Sequence, residues 1–311
     1  MSQTTAEEHH EVVIVGGGPA GLSCALECFD IRLDTVLVEA RASLGGQLTE
    51  IPHVVRNVAM AGLERGEGLQ QSLERSATIL GDSVRLRCPV TRVDLDEHWV
   101  EADGRRLHSD ALVIASGATR RQLPAAVDGA WGGDVTYQVE HQPGRFAGRP
   151  VAVIGGGDSA TLDALELARM GSSVALIHRS EQLAARRDIL SDLRKEDRIE
   201  DFPGWELEAV RGKDHLEAVD IVRPTTGERR RLTVNGLVVK IAAAPATGVF
   251  AGQLDLDHHG AIVVDDELRT SRPGVFAIGD VTAGSYPRIA TALGQGVLAA
   301  RSVLRQLQGR S

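Results

Sequence analysis

The sequence is poor in aromatic residues and in long apolar segments, and each shortage narrows the class of protein. Phe, Trp and Tyr make up only 3% of the 311 residues, against 34 glycines, which favours an α/β protein with many tight turns. No apolar run approaches the roughly 18 residues that a membrane-spanning helix needs. The N-terminus lacks the basic and apolar segments of a secretory signal, so we expect neither export nor a membrane anchor.

Cysteine is also scarce, and no excess of positive charge is present. Cys24, Cys28 and Cys88 are an odd number without the spacing of metal ligands, so we expect a cytoplasmic protein with no metal. Cys24 and Cys28 stand one turn apart on a predicted helix, and we favour their interpretation as core thiols. The net charge of −9 is spread along the chain and argues against nucleic-acid binding.

A glycine-rich turn follows the first apolar strand. "EVVIV" leads into "GGGPAG", so that Gly16, Gly18 and Gly21 form the pattern Gly-x-Gly-x-x-Gly before the helical run "LSCALECF". The first glycine permits a tight turn, the second lets the backbone approach a pyrophosphate, and the third lets helix and strand pack closely. The helix N-terminus offers N–H groups and partial positive charge to the phosphates.

The same pattern recurs near the middle of the chain. "VAVIGGGDSATLDALELA" places Gly155, Gly157 and Ala160 in the same frame. The strand after each helix ends at Glu39 in the first case and at His178 in the second, each 23 residues beyond the first glycine. Two complete strand–turn–helix–strand segments at one spacing predict two dinucleotide-binding folds in one chain.

The two segments differ at the residue expected to meet the ribose of a bound nucleotide. Glu39 can accept hydrogen bonds from ribose hydroxyls and would repel a 2′-phosphate. His178 and Arg179 present cationic or hydrogen-bonding groups instead, which suits NADP(H). The sequence therefore predicts an enzyme that binds FAD in the first fold and NADPH or NADH in the second.

The second fold is predicted to be inserted into the first. "DALVIASGA" closes the first half of the FAD fold, and "GVFAIGD" with an apolar helix from about residue 289 to 307 completes it. We therefore expect an α/β protein with two Rossmann-like domains, an FAD domain at 1–117 plus 243–311 and an NAD(P)H domain at 118–242. Asp280, at the end of a strand, should face the ligand crevice.

With these motifs in order, the chain resembles the low-molecular-weight thioredoxin reductase superfamily over nearly its whole length. The motifs that carry the resemblance are "GGGPAGL", Glu39, "GGQLTE", "IASGA", "GGGDSA", "HR", "TSRPGVFAIGDV" and "IATALGQG". It implies the three-layer ββα type of domain and an FAD site formed by Gly16, Gly18, Pro19, Ala20, Gly21, Glu39, Ala40, Gly46, Gln47, Leu48, Asn57, Val90, Ala115, Ser116, Gly117, Gly279, Asp280, Arg288, Ile289 and Ala290. It implies an NAD(P)H site formed by Gly155, Gly157, Asp158, Ser159, Ala160, His178, Arg179 and Arg186.

One departure from that superfamily lies in the link before the second glycine turn. Thioredoxin reductases carry Cys-x-x-Cys there, whereas "VTYQVEHQ" places Gln138 and His141 at the two cysteine positions. The segment is instead similar to the cysteine-free ferredoxin–NADP reductases of the same fold. The matching residues are Tyr137, Val139, Phe146, Gly148 and Arg149. His141 is a candidate acid–base group near the flavin, although we favour a hydrogen-bonded linker histidine.

A second departure lies in the 2′-phosphate motif. The superfamily reads His-Arg-Arg followed after three residues by Arg, whereas "HRSEQLA" has Ser180 and Ala184 in place of two arginines. Arg186 or Arg187 is a candidate replacement; the alternatives are a preference for NADH or poor binding of both nucleotides. The chain ends at Ser311, and we expect no C-terminal extension to cover the flavin.

Three functions remain open on the sequence alone. The first is an FAD enzyme that takes hydride from NAD(P)H and passes electrons to a small redox protein such as a ferredoxin or flavodoxin, with no catalytic acid or base in the protein. The second is a flavoprotein that keeps FAD but does not use a pyridine nucleotide. The third is a thiol-linked reductase that uses Cys24 or Cys28. The resemblance also implies a homodimer.

Overall fold

The protein consists of two units, and the chain crosses from one to the other at residues 119/120 and back at 243/244. Residues 1–119 with 244–311 form unit 1, and residues 120–243 form unit 2, which is inserted into unit 1. The computed structural model describes residues 6–51, 54–59, 62–119, 131, 133–139, 142–241 and 243–309. The crossings lie within two residues of the domain limits expected from the sequence, while the cofactor assigned to each unit remains a prediction.

Both units contain strands and helices. The strands are β1 (Ala6–Val15), β2 (Thr35–Val38), β3 (Val54–Val55), β4 (Glu64–Arg65), β5 (Val84–Arg85), β6 (Val90–Asp94), β7 (Trp99–Ala102), β8 (Arg105–Ile114), β9 (Ala118–Thr119), β10 (Val135–Thr136), β11 (Pro150–Ile154), β12 (Ser173–His178), β13 (Ile199–Pro203), β14 (Glu206–Gly212), β15 (Leu216–Arg223), β16 (Glu228–Thr233), β17 (Gly236–Val239), β18 (Ala244–Pro245) and β19 (Val275–Ala277). The helices are α1 (Pro19–Asp30), α2 (Gly66–Ala77), α3 (Pro143–Phe146), α4 (Asp158–Arg169), α5 (Arg187–Leu193) and α6 (Ile289–Gln308). No helix in the described part of the chain is long and apolar enough to cross a membrane.

Unit 1 is built on a sheet with the strand order β5-β2-β1-β8-β7-β6, and β19 also pairs with β8. Strands β5, β2, β1, β8 and β19 are parallel, while β7 and β6 extend the sheet in antiparallel fashion. The carboxyl ends of β1, β2 and β8 therefore meet at one edge of the sheet. This is the edge at which open α/β sheets bind ligands.

The carboxyl-terminal parts of the central strands β1 and β8 are apolar because both of their faces are buried there. Along β1, Val12 and Ile14 belong to one apolar cluster, and Val13 and Val15 belong to the cluster on the other face. Successive side chains of a strand point to opposite faces, so the run "VVIV" supplies both layers.

Helices α1 and α6 cover one face of this sheet and approach each other closely. A β-carbon at Gly296 would stand 2.5 Å from the Ala20 carbonyl oxygen, so the crossing requires glycine at this position. Ala292 and Ala299 are buried on the same side of the helix, which keeps that side small. The helix expected near residues 289–307 is confirmed and spans Ile289–Gln308.

Unit 2 repeats the plan with a parallel sheet in the order β10-β17-β11-β12-β13. Its central strand β11 sends Val151 and Val153 into a cluster with α4, and Ala152 and Ile154 into a cluster with the antiparallel sheet β14-β15-β16. Helix, parallel sheet and antiparallel sheet thus form three layers. The α/β fold class expected from the sequence is confirmed.

Candidate functional site

The first glycine-rich turn joins β1 to α1 at the carboxyl edge of the unit 1 sheet. Gly16 has a φ of +112°, and a β-carbon there would stand 2.3 Å from the Ala115 carbonyl oxygen. A β-carbon at Gly21 would stand 1.9 Å from the Gly16 carbonyl oxygen. Packing therefore requires glycine at both positions.

Gly18 has a different role in the same turn. A β-carbon at Gly18 would meet nothing within 4 Å, so this glycine borders open space rather than protein. Gly18 is the N-cap of α1, Pro19 is the first helical residue, and no side chain caps the helix. The first N–H groups of α1, such as that of Ala20, have no partner within the helix and suit an anion.

Glu39 lies beside this turn, buried at the end of β2. Its Oε2 accepts a hydrogen bond from the Gly17 N–H at 2.6 Å, and its Oε1 accepts one from the Arg41 N–H at 2.7 Å. Each carboxylate oxygen keeps a second lone pair, so Glu39 can still accept hydrogen bonds from ribose hydroxyls. Its negative charge also disfavours a 2′-phosphate.

The segment after β2 packs against the glycine turn. The Gly45 N–H donates to the Gly17 carbonyl oxygen at 2.8 Å, and a β-carbon at Gly46 would stand 3.2 Å from Gly18 Cα. Ala40, directly after Glu39, is exposed. The structure thus brings the "GGQ" segment to the turn, as a shared nucleotide site requires.

Asp280 lies at the end of β19 and connects to this segment. Gln47 Nε2 donates to Asp280 Oδ2 at 3.3 Å, although the two residues are 233 positions apart. Burial raises the pKa of Asp280, and the hydrogen bond from Gln47 opposes that rise. The Gly279 N–H donates to Gln295 Oε1 at 2.7 Å, which fixes the end of β19 to α6.

The start of α6 carries three more of the predicted residues. Arg288 is the N-cap of the helix, and Ile289 and Ala290 are its first two residues. The guanidinium of Arg288 lies 4.7 Å from the centre of the Tyr286 ring. Ile289 packs against the apolar cluster that contains Leu48. Leu48 and Ile289 therefore join the "GGQ" segment to the helix.

The remaining predicted residues of unit 1 lie at the ends of other elements. Ala115, Ser116 and Gly117 follow β8, and Ser116 Oγ donates to the Ala246 carbonyl oxygen at 2.9 Å. Asn57 is exposed after β3, and Val90 is the first residue of β6. Their roles toward a flavin remain predictions.

These features of unit 1 fit the adenine dinucleotide expected from the sequence. The open space at Gly18 and the uncapped N-terminus of α1 suit a pyrophosphate, and the carboxylate of Glu39 suits an unphosphorylated ribose.

The second glycine-rich turn joins β11 to α4 with the same geometry. Gly155 has a φ of +139°, and a β-carbon there would stand 2.3 Å from the Lys240 carbonyl oxygen. Gly157, the N-cap of α4, again has nothing within 4 Å of an added β-carbon, and no side chain caps the helix. Asp158, Ser159 and Ala160 form the first turn of α4. Unit 2 therefore also fits a dinucleotide.

His178 occupies in unit 2 the place of Glu39 in unit 1. It is buried at the end of β12, and its Nε2 lies 2.9 Å from Asp201 Oδ1. Its Nδ1 is also buried and has no hydrogen-bond partner among the described residues. Arg179, the next residue, is exposed. The sequence analysis did not predict that Asp201 would contact His178.

Arg186 is held by two aspartates. Its Nε lies 3.6 Å from Asp158 Oδ2 and 3.5 Å from Asp188 Oδ1. Its backbone N–H donates to Asp158 Oδ1 at 2.8 Å. The guanidinium proposed as a replacement for the missing arginines is therefore already paired with acids of the same unit.

The link before the second turn is packed into unit 2. Val139 and Phe146 are fully buried in the cluster with α4, whereas Tyr137 packs against the cluster on the other face of the sheet. Gln138, between them, is half-buried, and its N–H donates to Thr136 Oγ1 at 3.0 Å. His141 lies outside the described residues, so its acid–base role stays a prediction.

A family model for pyridine nucleotide-disulphide oxidoreductases matches residues 10–296, a range that includes both glycine turns and the link. The chain belongs to this family. Thioredoxin reductase of Treponema pallidum is 32% identical over 298 residues, which cover 95% of this chain and 96% of that protein. A Clostridium pasteurianum relative, named "34.2 kDa protein in rubredoxin operon", is 27% identical over 307 residues, which cover 98% and 99%.

Among solved structures, Lactococcus lactis thioredoxin reductase in its FR conformation matches with a TM-score of 0.84 and 28% identity, over 96% of this chain and 99% of that one. The predicted superfamily and the fold with two nucleotide-binding domains are thereby confirmed. The chain is a thioredoxin reductase-like oxidoreductase of the pyridine nucleotide-disulphide family, with FAD and a nicotinamide nucleotide as its cofactors.

The three cysteines of this family member all lie in unit 1, free and buried. Cys24 and Cys28 have no exposed surface. The hydrogen bond with Cys28 and burial together raise the pKa of Cys24 well above its usual value. Because the thiolate is the reactive form, an inaccessible neutral thiol is a poor nucleophile. This geometry disfavours a thiol-linked reductase that uses Cys24 or Cys28.

Two buried acids of unit 2 were missed by the sequence analysis. Asp163 on α4 lies with its Oδ2 3.0 Å from Lys240 Nζ, directly beside the second glycine turn. Asp134, at the start of the link, accepts hydrogen bonds from His215 Nδ1 at 3.0 Å and from Arg149 Nη2 at 3.2 Å. The sequence signal for such a buried pair was a charged residue in an otherwise apolar run, such as Lys240 at the end of "LVVK".

The hydrogen bonds to Asp134 also explain its ionisation. Burial acts to raise the pKa of Asp134, but the bonds from the Leu216 N–H, His215 and Arg149 lower it overall. The carboxylate thus anchors the link to β15 and to Arg149, which gives that residue of the link motif a structural role.

Proposed function

We propose that this chain passes electrons from NAD(P)H through FAD to a small redox protein without a redox disulfide, as ferredoxin and flavodoxin reductases do. The observation that carries the proposal is the cysteine-free link, in which Tyr137 and Val139 pack on opposite faces of the unit 2 sheet around Gln138. The described part of the link, residues 135–139, thus packs into unit 2, and the link sequence has no thiol to exchange with a protein disulfide.

The two units supply binding and orientation rather than acid–base chemistry. The predicted residues of unit 1 would hold FAD, which would supply the chemistry of hydride acceptance from the nicotinamide and of one-electron release. We assign the FAD pyrophosphate to the N-terminus of α1 and the adenosine ribose to Glu39, in unit 1. We assign the nicotinamide nucleotide to the N-terminus of α4, in unit 2, and we expect a homodimer.

The relatives support two kinds of acceptor. The Clostridium pasteurianum relative is named for a rubredoxin operon and supports a small redox protein of that kind. The relatives named thioredoxin reductase support thioredoxin as the competing acceptor. The absence of Cys-x-x-Cys from the 311 residues favours the first kind.

Acceptor assays test the proposal directly. The FAD-loaded protein is mixed anaerobically with NADH or NADPH, and ferredoxin, flavodoxin, rubredoxin or thioredoxin is then added. We expect bleaching of the flavin followed by reduction of at least one of the first three, and no reduction of thioredoxin. Thioredoxin reduction at a rate that equals or exceeds theirs overturns the proposal.

Alkylation of the native protein with iodoacetamide serves as the control for the thiol alternative. Because all three cysteines are buried, we expect the rate of electron transfer to remain unchanged. A loss of activity in proportion to alkylation would instead support a thiol-linked reductase.

A second candidate function is an FAD protein that no longer uses a pyridine nucleotide. It is favoured by Ser180 and Ala184 at the arginine positions and by the pairing of Arg186 with Asp158. Equilibrium titration separates the two candidates. Failure of both NADH and NADPH to bind at millimolar concentration would favour this second function.

A further inference from the structure

The end of β12 in unit 2 is the place where a Rossmann fold distinguishes a ribose from its 2′-phosphate. An inference about this corner rests on the proposed function, because it takes unit 2 as the nicotinamide nucleotide site. His178 stands there with its ring buried, and its Nε2 is engaged by Asp201 at 2.9 Å. The imidazole is therefore not an exposed cation for a phosphate, and the half-exposed carboxylate of Asp201 brings a negative charge instead.

The segment that follows β12 folds back against the glycine turn. The Ala184 N–H donates to the Gly156 carbonyl oxygen at 2.7 Å, and Gly157 and Ala184 form a parallel β-bridge. This contact brings position 184 to the turn itself, but it carries only a methyl group. Ser180, earlier in the segment, is exposed and short.

Arg186 is brought to the same turn, but its charge is already matched. Asp158 in the first turn of α4 accepts its backbone N–H and lies beside its Nε, and Asp188 lies beside the same Nε. Releasing this guanidinium to a phosphate would take the cation from Asp188 and from Asp158 Oδ2, while Asp158 Oδ1 would keep the Arg186 N–H. Asp158 thus withholds Arg186 from a ligand.

The remaining charges of the corner do not compensate. Arg179 and Arg187 are exposed and form no ion pair within the described residues. Residues 178–188 carry three arginines and two acids, and Asp158 and Asp201 add two more acids. The two acids within that segment are Glu181 and Asp188. The nearby Arg223 donates from its Nη2 to the Pro203 carbonyl oxygen at 3.1 Å. A 2′-phosphate adds about two negative charges at neutral pH, whereas a free 2′-hydroxyl adds none and can donate a hydrogen bond to a carboxylate.

We propose that unit 2 selects NADH over NADPH, with Asp201 and Asp158 as the residues that set this preference. Asp201 disfavours the phosphate by its charge beside His178, and Asp158 does so by holding Arg186. Both residues act on the adenosine end of the nucleotide. We therefore expect the preference to appear in the nucleotide affinity and not in the rate of hydride transfer.

Calorimetric titration with redox-inactive nucleotides tests this preference without the flavin reaction. ADP-ribose and 2′-phospho-ADP-ribose are titrated into the FAD-loaded protein. We expect ADP-ribose to bind at least tenfold more tightly. The Asp201→Asn variant keeps an acceptor for His178 but removes the charge, and we expect it to reduce that ratio severalfold.

A gain-of-binding variant and a matched control complete the experiment. Ser180→Arg with Ala184→Arg adds two cations at the corner, and we expect it to reverse the preference toward 2′-phospho-ADP-ribose. Asp214→Asn removes the same charge in the exposed turn between β14 and β15 and should leave the ratio unchanged.

The outcomes separate this inference from the proposed function. Equal or tighter binding of 2′-phospho-ADP-ribose to the unaltered protein overturns the inference, even if the flavin is reduced. Binding with the expected preference, but no reduction of any small redox protein, upholds the inference and overturns the proposed function. Binding of neither nucleotide overturns both.

Discussion

The two glycine turns of this protein are alike in shape and different in what surrounds them. In both, the first glycine has a positive φ and lies against the carbonyl oxygen of a neighbouring strand end, that of Ala115 in unit 1 and of Lys240 in unit 2. In both, the last of three consecutive glycines, Gly18 in unit 1 and Gly157 in unit 2, borders open space at an uncapped helix N-terminus. The shared geometry fits a pyrophosphate at either turn, and we propose that the neighbouring side chains determine which nucleotide each unit binds.

Two substitutions between the units show how differently the same turn can be supported. Gly21 of unit 1 corresponds to Ala160 of unit 2, because α1 approaches its turn more closely than α4 does. One helical turn further, Cys24 of unit 1 corresponds to Asp163 of unit 2, which pairs with Lys240. Unit 1 thus packs apolar atoms where unit 2 buries an ion pair.

The largest effect is expected from giving unit 1 the residue of unit 2 at the close-packed position, that is, from replacing Gly21 with alanine. Gly21→Ala places a β-carbon 1.9 Å from the Gly16 carbonyl oxygen, which no rearrangement of a side chain relieves. We expect a loss of more than about 4 kcal/mol in the unfolding free energy of unit 1, together with loss of bound FAD. Flavin content after purification and thermal melting measure both effects.

The reciprocal change in unit 2 is the control. Ala160→Gly removes a methyl group and weakens a helix, so we expect a cost of about 1 kcal/mol and retained nucleotide binding. Full FAD content and an unchanged melting temperature in Gly21→Ala would show that α1 can move away from its turn, and that the comparison with α4 is wrong.

A double-mutant cycle on the buried ion pair gives the next largest effect. Lys240→Ala leaves the Asp163 carboxylate buried without its ammonium partner, so we expect unit 2 to lose about 3–5 kcal/mol. Adding Asp163→Cys recreates the Ala and Cys found at these two positions in unit 1. Because apolar pairs often replace buried ion pairs at little cost, the double variant should recover most of the loss. Urea denaturation measures the cycle, and a double variant as unstable as the single one contradicts it.

These comparisons also show which parts of the molecule the sequence could predict. The glycine turns, the strands that enter them and the 23-residue spacing to Glu39 and His178 are local signals, and they predicted the fold and both dinucleotide sites. The partners of the buried polar groups were not local. Asp201 lies on the strand beside His178, and nothing in "IEDFP" distinguishes it from an exposed acid until β12 and β13 are paired.

A smaller effect tests the nucleotide assignments themselves. Gly18→Ala and Gly157→Ala add a methyl group where the structure has only open space, and both residues have a negative φ that alanine adopts readily. We expect melting of the cofactor-free protein to be unchanged. If the pyrophosphates approach these positions, the first variant should lose roughly tenfold in FAD affinity and the second roughly tenfold in ADP-ribose affinity. An effect of Gly18→Ala on ADP-ribose, with FAD binding intact, would show that the assignments are reversed.

The smallest effects concern one acid in each unit that lies between two arginines. Hydrogen bonds from Arg85 and Arg105 lower the pKa of Glu8 in unit 1 from 4.5 to about 2. In unit 2, hydrogen bonds from Arg231 and Arg211 lower the pKa of Asp220 from 3.8 to about 2. Since each folded-state pKa lies below the unfolded value, each carboxylate stabilises the fold above the unfolded pKa and loses that contribution as the pH falls toward 2.

We therefore expect Glu8→Gln and Asp220→Asn each to lower the unfolding free energy by about 1 kcal/mol at pH 7, the range for partly exposed ion pairs. The deficit of Glu8→Gln should begin to shrink near pH 4.5 and that of Asp220→Asn near pH 3.8, because the unaltered protein then loses the same interaction. Urea denaturation between pH 7 and pH 3, with Asp214→Asn as an exposed control, measures both. A deficit that stays constant over this range would mean that packing, and not charge, is what each acid contributes to its unit.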